Sequence, residues 1–243
     1  MRICISLLPR GPVPLHYNYF IQSAIYNRLP REISHFLHYK GIKEGPRKFK
    51  MFTFSRLIGD FVRNGEQLIY RNKCYLCISS PINLIIKEIY FSLLNDPDLK
   101  IKDTKLIVET VGIMENPDFG DKATIYTLSP ITMYKRGING ARYYSPHELE
   151  WQVLIDLNAR RKFHALRGRY LKHGLEIRPL RVSQTKVMYK NNLIKAWKGE
   201  FEMRGPKTLM KVIYDAGIGS KNSQGFGMIE ISGRRIRDFL DIY

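Results

Sequence analysis

The stretch GIGSKNSQGFG, residues 217–227, places four glycines at G-x-G-x5-G-x-G spacing, between a helix-like and a strand-like pattern. Glycine tolerates positive φ and lets another backbone approach closely, so this density of glycines indicates a loop under tight geometric demand. The loop also carries Lys221, Asn222, Ser223 and Gln224. Backbone N–H groups beside a lysine suit a phosphate, which makes the loop a candidate binding element.

Two known glycine motifs do not describe this loop. A P-loop ends in Gly-Lys-Ser/Thr, whereas Lys221 follows Ser220 here. A dinucleotide fingerprint needs a third glycine where Asn222 stands, and it runs from strand to helix, the reverse of the order here. A helix cap at Gly217 followed by a bulge is the simpler interpretation of any single glycine. Four glycines around a polar insert favour a functional loop.

The composition indicates a folded protein with a polyanionic partner. The chain has 243 residues, of which 44% are hydrophobic, enough for one large domain or two of about 100–120 residues. A net charge of +18 and a pI of about 9.8 favour nucleic acid as the partner over a membrane surface. The N-terminal apolar run ends at Pro9, too early for a signal peptide, and no transmembrane span stands out. We therefore expect a cytoplasmic protein.

The cysteines predict neither a disulfide framework nor a metal site. Cys74 and Cys77 form a C-x-x-C pair, without a second pair or a histidine at zinc-ligand spacing. Both lie in an apparent strand, where an odd separation points their side chains to opposite faces. We expect these two and Cys4 to be core residues, and we expect no metal and no cofactor.

Hydrophobic periodicity predicts a β-α-β-β-α-β order for the first half of the chain, which is the ferredoxin-like order. Asn64-Gly65 is the turn signal between its second and third strands. The predicted elements are a strand at 3–8, a helix at 17–29, a short helical piece at 33–39, a basic loop at 40–50, strands at 51–57 and 68–79, a helix from Ser80-Pro81 and a strand at 105–114.

The second half is compatible with the same order, after a boundary at residues 116–122 that contains Pro117 and Gly120. The chain is therefore predicted as α+β, with two tandem ferredoxin-like (βαββαβ, RRM-like) domains at 1–118 and 119–243. The predicted elements are a strand at 123–133, a helix that follows the capping box Ser145-Pro146-His147-Glu148, strands at 175–185 and 186–204 with a hairpin at Asn191-Asn192, a helix at 206–216 and a strand at 226–231.

The loop and its surroundings resemble a known family. A glycine-rich loop of this spacing, followed by Phe226-Gly227-Met228 and a short strand near the C-terminus, resembles the RAMP superfamily of CRISPR-associated proteins. Within it, the chain is most similar to the repeat-RNA-processing endoribonucleases. The resemblance covers residues 3–231 and implies two ferredoxin-like domains in tandem, with the loop near the bound RNA.

The resemblance also implies catalytic residues. In that family a tyrosine on the first helix, a histidine shortly after it and a lysine just before the second strand cleave RNA. The matching positions here are Tyr26, His38 and Lys50. His38 fits the histidine position better than His35 does, whereas Lys48 stays open as an alternative to Lys50.

These residue types meet the needs of RNA cleavage without a metal ion. The ribose 2′-OH must lose its proton as it attacks the adjacent phosphorus, the phosphorane gains negative charge, and the 5′ oxygen must leave protonated. A histidine can exchange the protons, a lysine can stabilise the charge, and a tyrosine hydroxyl can hydrogen-bond or protonate. The products would be a 2′,3′-cyclic phosphate and a 5′-hydroxyl.

Loop residues and basic residues are the predicted RNA contacts. Residues 160–169, RRKFHALRGR, form a basic run that fits RNA contact better than catalysis. Tyr143, Tyr144 and Tyr170 stand beside arginines and either stack on bases or pack in the protein. The predicted RNA-binding residues are Gly217, Gly219, Lys221, Asn222, Ser223, Gly225, Gly227, Lys48, Arg160, Arg161, Arg167 and Arg169.

We therefore expect a metal-independent endoribonuclease that cuts CRISPR repeat transcripts into guide RNAs. One alternative is a non-catalytic RNA-binding RAMP subunit of a CRISPR effector complex. A second alternative is a general ferredoxin-like RNA-binding protein without a CRISPR role. The expected partner is CRISPR repeat RNA, and effector-complex proteins and a homodimer stay open as further partners.

Overall fold

The computed structural model describes residues 1–138 and 140–236 of the chain. Its two large sheets draw their strands from opposite sides of the predicted boundary at residues 118 and 119. The two sides are called the N-terminal half and the C-terminal half below. The boundary itself stays a prediction, and residues 237–243 of the predicted second domain lie outside the described residues.

The N-terminal half is a five-stranded antiparallel sheet covered by helices. Its elements are β1 (Arg2–Pro9), β2 (Val13–Pro14), α1 (Asn18–Asn27), α2 (Arg31–His35), a π-helical turn (Phe36–Lys40), β3 (Ile42–Glu44), β4 (Arg47–Phe49), β5 (Thr53–Phe54), β6 (Phe61–Asn64), β7 (Gln67–Tyr70), β8 (Cys74–Ser79), α3 (Asn83–Asn95), β9 (Asp98–Ile101) and β10 (Thr104–Met114). The sheet order is β5-β8-β1-β10-β9. Strands β5, β8, β1 and β10 are the four strands of the βαββαβ fold, and β9 is an additional strand at the edge of the sheet.

The packing of this half follows from its apolar patterns. Strand β1 is buried along six consecutive residues, because β8 and β10 flank it and both of its faces are covered. Helices α1 and α3 each bury one apolar stripe against the sheet, including Ile21 and Ile25 on α1 and Ile86 and Ile89 on α3. No helix among the described residues is long and apolar enough to cross a membrane.

The C-terminal half repeats the arrangement with a four-stranded sheet, in the order β14-β15-β11-β16. Its elements are β11 (Lys122–Thr127), β12 (Tyr134–Gly137), β13 (Gly140–Tyr143), α4 (Leu149–Arg167), β14 (Glu176–Tyr189), β15 (Asn192–Arg204), α5 (Lys207–Ala216), a 3-10 turn (Asn222–Gln224) and β16 (Ile229–Ile231). Trp151 and Phe163 of α4 are buried in its core. The predicted fold of two tandem ferredoxin-like domains is confirmed.

Several predicted boundaries are wrong, two because of strand pairing and packing and one because of a local hydrogen bond. Residues 40–50 contain the hairpin β3–β4 and not only a loop, since Ile42 and Phe49 pair in register and pack on α4. The turn at Asn64-Gly65 belongs to the added hairpin β6–β7, which pairs with β2. Helix α3 begins at Asn83, because the Ser80 hydroxyl accepts a hydrogen bond from the N–H of Ile82.

The cysteine prediction is wrong in one respect. Cys74 and Cys77 do point to opposite faces, and Cys74 is a free, buried thiol. Cys77, however, forms a disulfide with Cys4. The two residues are direct partners on β1 and β8, with Cα atoms 4.1 Å apart at a sequence separation of 73. Only the pairing of β1 with β8 brings the two cysteines together, so their spacing in the sequence could not predict the disulfide.

A buried ion pair joins the two halves. The Arg2 guanidinium on β1 donates to Glu230 Oε2 at 2.8 Å and to the Ile229 carbonyl at 2.9 Å, and both charged side chains are fully buried. It also donates to the Tyr214 carbonyl at 2.9 Å and stacks on the Tyr214 ring at 3.7 Å. The Tyr214 hydroxyl donates to the same Glu230 oxygen at 2.7 Å. The buried Arg2 guanidinium of the N-terminal half therefore finds its carboxylate and carbonyl acceptors in the C-terminal half.

Arg2→Ala should lower the free energy of unfolding by about 3–5 kcal/mol, because it removes the buried cation from Glu230 Oε2 and leaves this carboxylate to the more distant Arg234, whose Nη1 lies 3.6 Å from Oε1. Chemical denaturation measures this change. The matched control is Arg181→Ala, whose side chain is 87% exposed beside Glu200 and which should unfold close to wild type. Equal stability of the two variants would contradict the assigned role of the buried pair.

Candidate nucleic-acid interface and active site

A buried lysine holds the glycine-rich loop. Lys162 of α4 is 2% exposed, and its Nζ donates to the carbonyls of Gly217 and Gly219 at 2.7 and 2.9 Å and to Asn222 Oδ1 at 2.7 Å. Burial lowers the pKa of Lys162 to about 7. The three acceptors oppose this lowering of the pKa, because they stabilise the charged ammonium, which has three protons and can donate one to each acceptor. Lys162 belongs to the basic run predicted to contact RNA, but its side chain points into the protein.

The four glycines allow close approaches between parts of the protein. All four have φ between +73° and +86°, and all are buried. A Cβ on Gly225 would lie 2.5 Å from the Phe54 ring of the N-terminal half, and one on Gly219 would lie 2.6 Å from the Thr132 carbonyl. The side chain of Asn222 is also used inside the loop, where its Nδ2 donates to the carbonyls of Ile218 and Phe226. RNA contact by these residues stays a prediction.

The loop forms one wall of a cleft between the two halves. The cleft has a volume of about 790 Å³. Lys221, Ser223 and Gln224 of the loop line it from the C-terminal half. Helix α1 and the π-helical turn line it from the N-terminal half. Asn18 Nδ2 fixes this arrangement by donating to the Gln224 carbonyl at 2.8 Å.

The three predicted catalytic residues meet in this cleft. The rings of Tyr26 and His38 pack edge to face with centroids 5.8 Å apart, and Phe52 supports Tyr26 from another side at 5.7 Å. Lys50 lines the same cleft, and its Nζ donates to the main-chain carbonyls of Leu37 and His38. Lys50 therefore holds the π-helical turn that presents the His38 ring.

The neighbouring lysine and histidine are placed differently. Lys48 is exposed and its Nζ lies 3.4 Å from the Tyr39 carbonyl, and it does not line the cleft. His35 lies at the cleft but packs on Tyr39, with ring centroids 4.6 Å apart, and not on Tyr26. The geometry thus favours Lys50 over Lys48 and His38 over His35 as the partners of Tyr26.

Burial sets the protonation of two of these groups. It raises the pKa of Tyr26 to about 12, with a smaller contribution from Tyr189, so the phenol keeps its proton at neutral pH. Burial also lowers the pKa of Lys50 below its usual value, and the nearby Lys48 adds to this shift. Tyr26 is consequently a hydrogen-bond donor. Among the described residues there is no group of three or more His, Cys, Asp or Glu arranged to hold a metal ion.

The opposite wall contains aromatic and basic residues, of which Tyr143 and Lys221 were predicted candidates and Tyr134, Tyr189 and Lys190 were missed. Tyr134, Tyr143 and Tyr189 line the cleft, and Lys221 Nζ lies 4.8 Å from the Tyr134 ring centroid. The Tyr189 hydroxyl donates to Gln22 Oε1 of α1, across the cleft. A tyrosine beside a lysine, Tyr189-Lys190 at the turn of the β14–β15 hairpin, is a sequence signal that could have located part of this wall. Tyr134 and Tyr143 are half-buried, Tyr189 is buried at the back of the wall, and Tyr144 is buried and does not line the cleft.

The rest of the basic run lies outside the cleft. Arg160 pairs with Asp156 one helical turn earlier, with Nε 3.0 Å from Oδ2. Arg167 and Arg169 are exposed at the end of α4, and Arg161 is half-buried. RNA contact by Arg160, Arg161, Arg167 and Arg169 stays a prediction.

Comparisons with known proteins agree with this architecture. Family models described as "CRISPR-associated protein Cas6, N-terminal" and "CRISPR associated protein Cas6, C-terminal" match residues 12–112 and 114–231. The chain is 26% identical over 248 residues to the "CRISPR-associated endoribonuclease Cas6" of Pyrococcus furiosus, covering 97% of this chain and 91% of that protein. It is 29% identical to the "CRISPR-associated endoribonuclease Cas6 1" of Methanocaldococcus jannaschii, covering 89% of this chain and 86% of that protein. A solved structure, "Characterization of a Cas6-related gene from Pyrococcus furiosus", superposes with a TM-score of 0.84 at 25% identity. The match covers 97% of this chain and 99% of the chain in that structure.

Gly227→Ala should destabilise the protein by about 1–3 kcal/mol more than Gly233→Ala does. Both glycines have positive φ, but a Cβ at Gly227 would collide with the Ile218 carbonyl, whereas nothing lies within 4 Å of one at Gly233. The free energy of unfolding of the two variants measures the difference. Equal losses would show that backbone conformation alone, and not close packing, requires the loop glycines.

Proposed function

Because the chain belongs to the Cas6 family of CRISPR-associated proteins, we propose that it is an endoribonuclease that cuts CRISPR repeat RNA in the cleft between its halves. The observation that supports this most is the meeting of His38, Tyr26 and Lys50 at one place in that cleft. The reaction is attack of a ribose 2′-OH on the adjacent phosphorus. It leaves a 2′,3′-cyclic phosphate and a 5′-hydroxyl.

His38 and Tyr26 handle the protons. An imidazole can accept and donate a proton around neutral pH, so the exposed His38 ring serves in the transfer between the 2′-OH and the leaving 5′ oxygen. Tyr26 keeps its proton because burial raises its pKa to about 12. Its hydroxyl therefore donates a hydrogen bond to the reacting phosphate.

Lys50 stabilises both the negative charge of the reacting phosphate and the conformation of the π-helical turn. Two of its three ammonium protons point at the carbonyls of Leu37 and His38. The third is free to meet a non-bridging phosphate oxygen, where a fixed cation stabilises the negative charge that develops on the phosphorane. Lys50 is consequently both a catalytic residue and the support of the His38 turn.

The wall of the cleft opposite His38, Tyr26 and Lys50, which contains several tyrosines, holds the single-stranded RNA on either side of the cut. Bases stack on aromatic rings while lysines contact the phosphates, which is how proteins commonly hold unpaired RNA. The half-buried Tyr134 and Tyr143 supply the rings, the buried Tyr189 supports the wall, and Lys190 and Lys221 supply the cations. Lys48, Arg160, Arg161, Arg167 and Arg169 contact phosphates further along the RNA.

The proposed chemistry requires no metal ion, because side chains provide proton transfer and charge stabilisation. The proposal also places the protein in the cytoplasm, where repeat transcripts are made. Contacts with CRISPR effector proteins and a homodimer stay predictions.

His38→Ala should slow cleavage of a repeat RNA by a factor of about 10² to 10⁴ and leave affinity for the RNA nearly intact. A gel assay in EDTA measures cleavage, and a 2′-deoxy substitution at the cut site should block it. The matched control is His35→Ala, which should cleave nearly as wild type because His35 does not contact Tyr26.

Full activity of His38→Ala would overturn the assignment of the proton-transfer residue. Loss of wild-type activity in EDTA would overturn the metal-free mechanism. Tight binding of repeat RNA without any cleavage by the wild type would identify a non-catalytic RNA-binding member of the family instead.

A further inference from the structure

The hairpin β3–β4 lies between two of the proposed catalytic residues. It begins directly after the π-helical turn that carries His38, and it ends at Phe49, one residue before Lys50. A displacement of the hairpin would therefore move Lys50 and, through its hydrogen bonds, the carbonyls of Leu37 and His38.

The tip of this hairpin is held by helix α4 of the C-terminal half and by the segment that follows it. Glu44 Oε2 lies 2.6 Å from His164 Nδ1, and Glu44 Oε1 accepts a hydrogen bond of 2.7 Å from the Tyr170 hydroxyl. The His164 and Tyr170 rings stack with centroids 3.8 Å apart and planes at 9°. Both partners hold the same carboxylate, so its position is fixed from two directions.

Apolar contacts complete the attachment. Phe49 is buried and Ile42 half-buried, and both pack with Ala165 and Leu166 of α4 and with Ala216 of α5. The hairpin thus contacts α4 with its apolar side as well as with its acidic tip. Its remaining residues, Lys43 and 45–48, are exposed.

The sequence of the segment supports an internal role for this carboxylate. Residues 40–50 contain five basic side chains and a single acidic one, Glu44. A negative charge among cations opposes the phosphate contacts that such a basic segment favours. The hydrogen bonds from Tyr170 and His164 lower the pKa of Glu44, which keeps it charged and able to hold both partners.

We propose that Glu44, His164 and Tyr170 are positioning residues that clamp the β3–β4 hairpin onto α4 and so hold Lys50 and His38 in reactive geometry. This inference rests on the proposed function. The clamp acts on the rate at which bound RNA is cut and not on RNA affinity, because none of the three residues lines the cleft.

The test compares Glu44→Ala, Glu44→Gln and Tyr170→Phe with the control Glu66→Ala. The control removes one negative charge from an exposed hairpin remote from the clamp, so it measures the effect of net charge on RNA binding. Glu44→Gln keeps the shape and an acceptor oxygen for Tyr170. Tyr170→Phe removes one hydrogen bond from an exposed ring and leaves the stack, so it is expected to fold.

Single-turnover cleavage at saturating repeat RNA should be about tenfold slower in Glu44→Ala than in Glu66→Ala, a loss of the size that slight misplacement of catalytic groups produces. Affinity for a 2′-deoxy repeat RNA should match between the two. Glu44→Gln should recover most of the rate, and Tyr170→Phe should lie between Glu44→Ala and wild type. Modification of Lys50 by an amine reagent, followed by peptide mass spectrometry, should be faster in Glu44→Ala, because its ammonium is held less firmly.

Equal cleavage rates and equal Lys50 modification in Glu44→Ala and Glu66→Ala would overturn the clamp. A slower rate matched by an equal loss of RNA affinity would also overturn it, since the effect would then be one of binding. If the wild type does not cleave, the proposed function fails, while Lys50 modification still decides whether the hairpin is clamped.

Discussion

The Lys162 ammonium is the contact on which the shape of the cleft depends. A buried cation without partners is costly, so the surrounding chain must supply acceptors for all three of its protons. The acceptors here are two carbonyls of the glycine-rich loop and the side chain of Asn222. To aim them at one point, the loop must turn repeatedly through positive φ, which only glycine does at low cost. The buried lysine thus requires the carbonyls of the loop, and the glycines allow the loop to present those carbonyls to it.

The loop then links the two halves into one functional unit. Its buried side packs on Phe54 and receives a hydrogen bond from Thr53, both from the N-terminal half. Its open side presents Lys221 and Ser223 to the cleft. With the buried Arg2–Glu230 pair, these contacts fix the distance between the wall that carries Tyr26 and His38 and the wall of tyrosines. A cleft with one chemically reactive wall and one stacking wall suits a single strand of RNA.

The sequence shows best what is encoded locally. Helix and strand periodicity gave the order of elements in both halves, and the glycine spacing located the loop. The placement of Tyr26, His38 and Lys50 came from resemblance to a family, and the structure brings the three together in one cleft. Their catalytic roles remain proposals.

Three of the missed features depend on residues distant in sequence. Lys162 looked like one more surface cation in a basic run until the fold placed it under the loop. The Cys4–Cys77 disulfide and the β3–β4 hairpin likewise require knowledge of which strand or helix lies alongside. Tyr134 and Tyr189 have only a basic neighbour as a local signal of function, and an aromatic residue in a strand is as common in a core as at a binding surface.

The most direct measurement is a crystal structure of the protein with a repeat RNA that carries a 2′-deoxyribose at the cut site. The account predicts the scissile phosphate within about 3 Å of the His38 ring and of Lys50 Nζ, close enough for proton transfer. The flanking nucleotides should lie along Tyr134 and Tyr143. An RNA bound on another face, with its cut site remote from His38, would contradict the account.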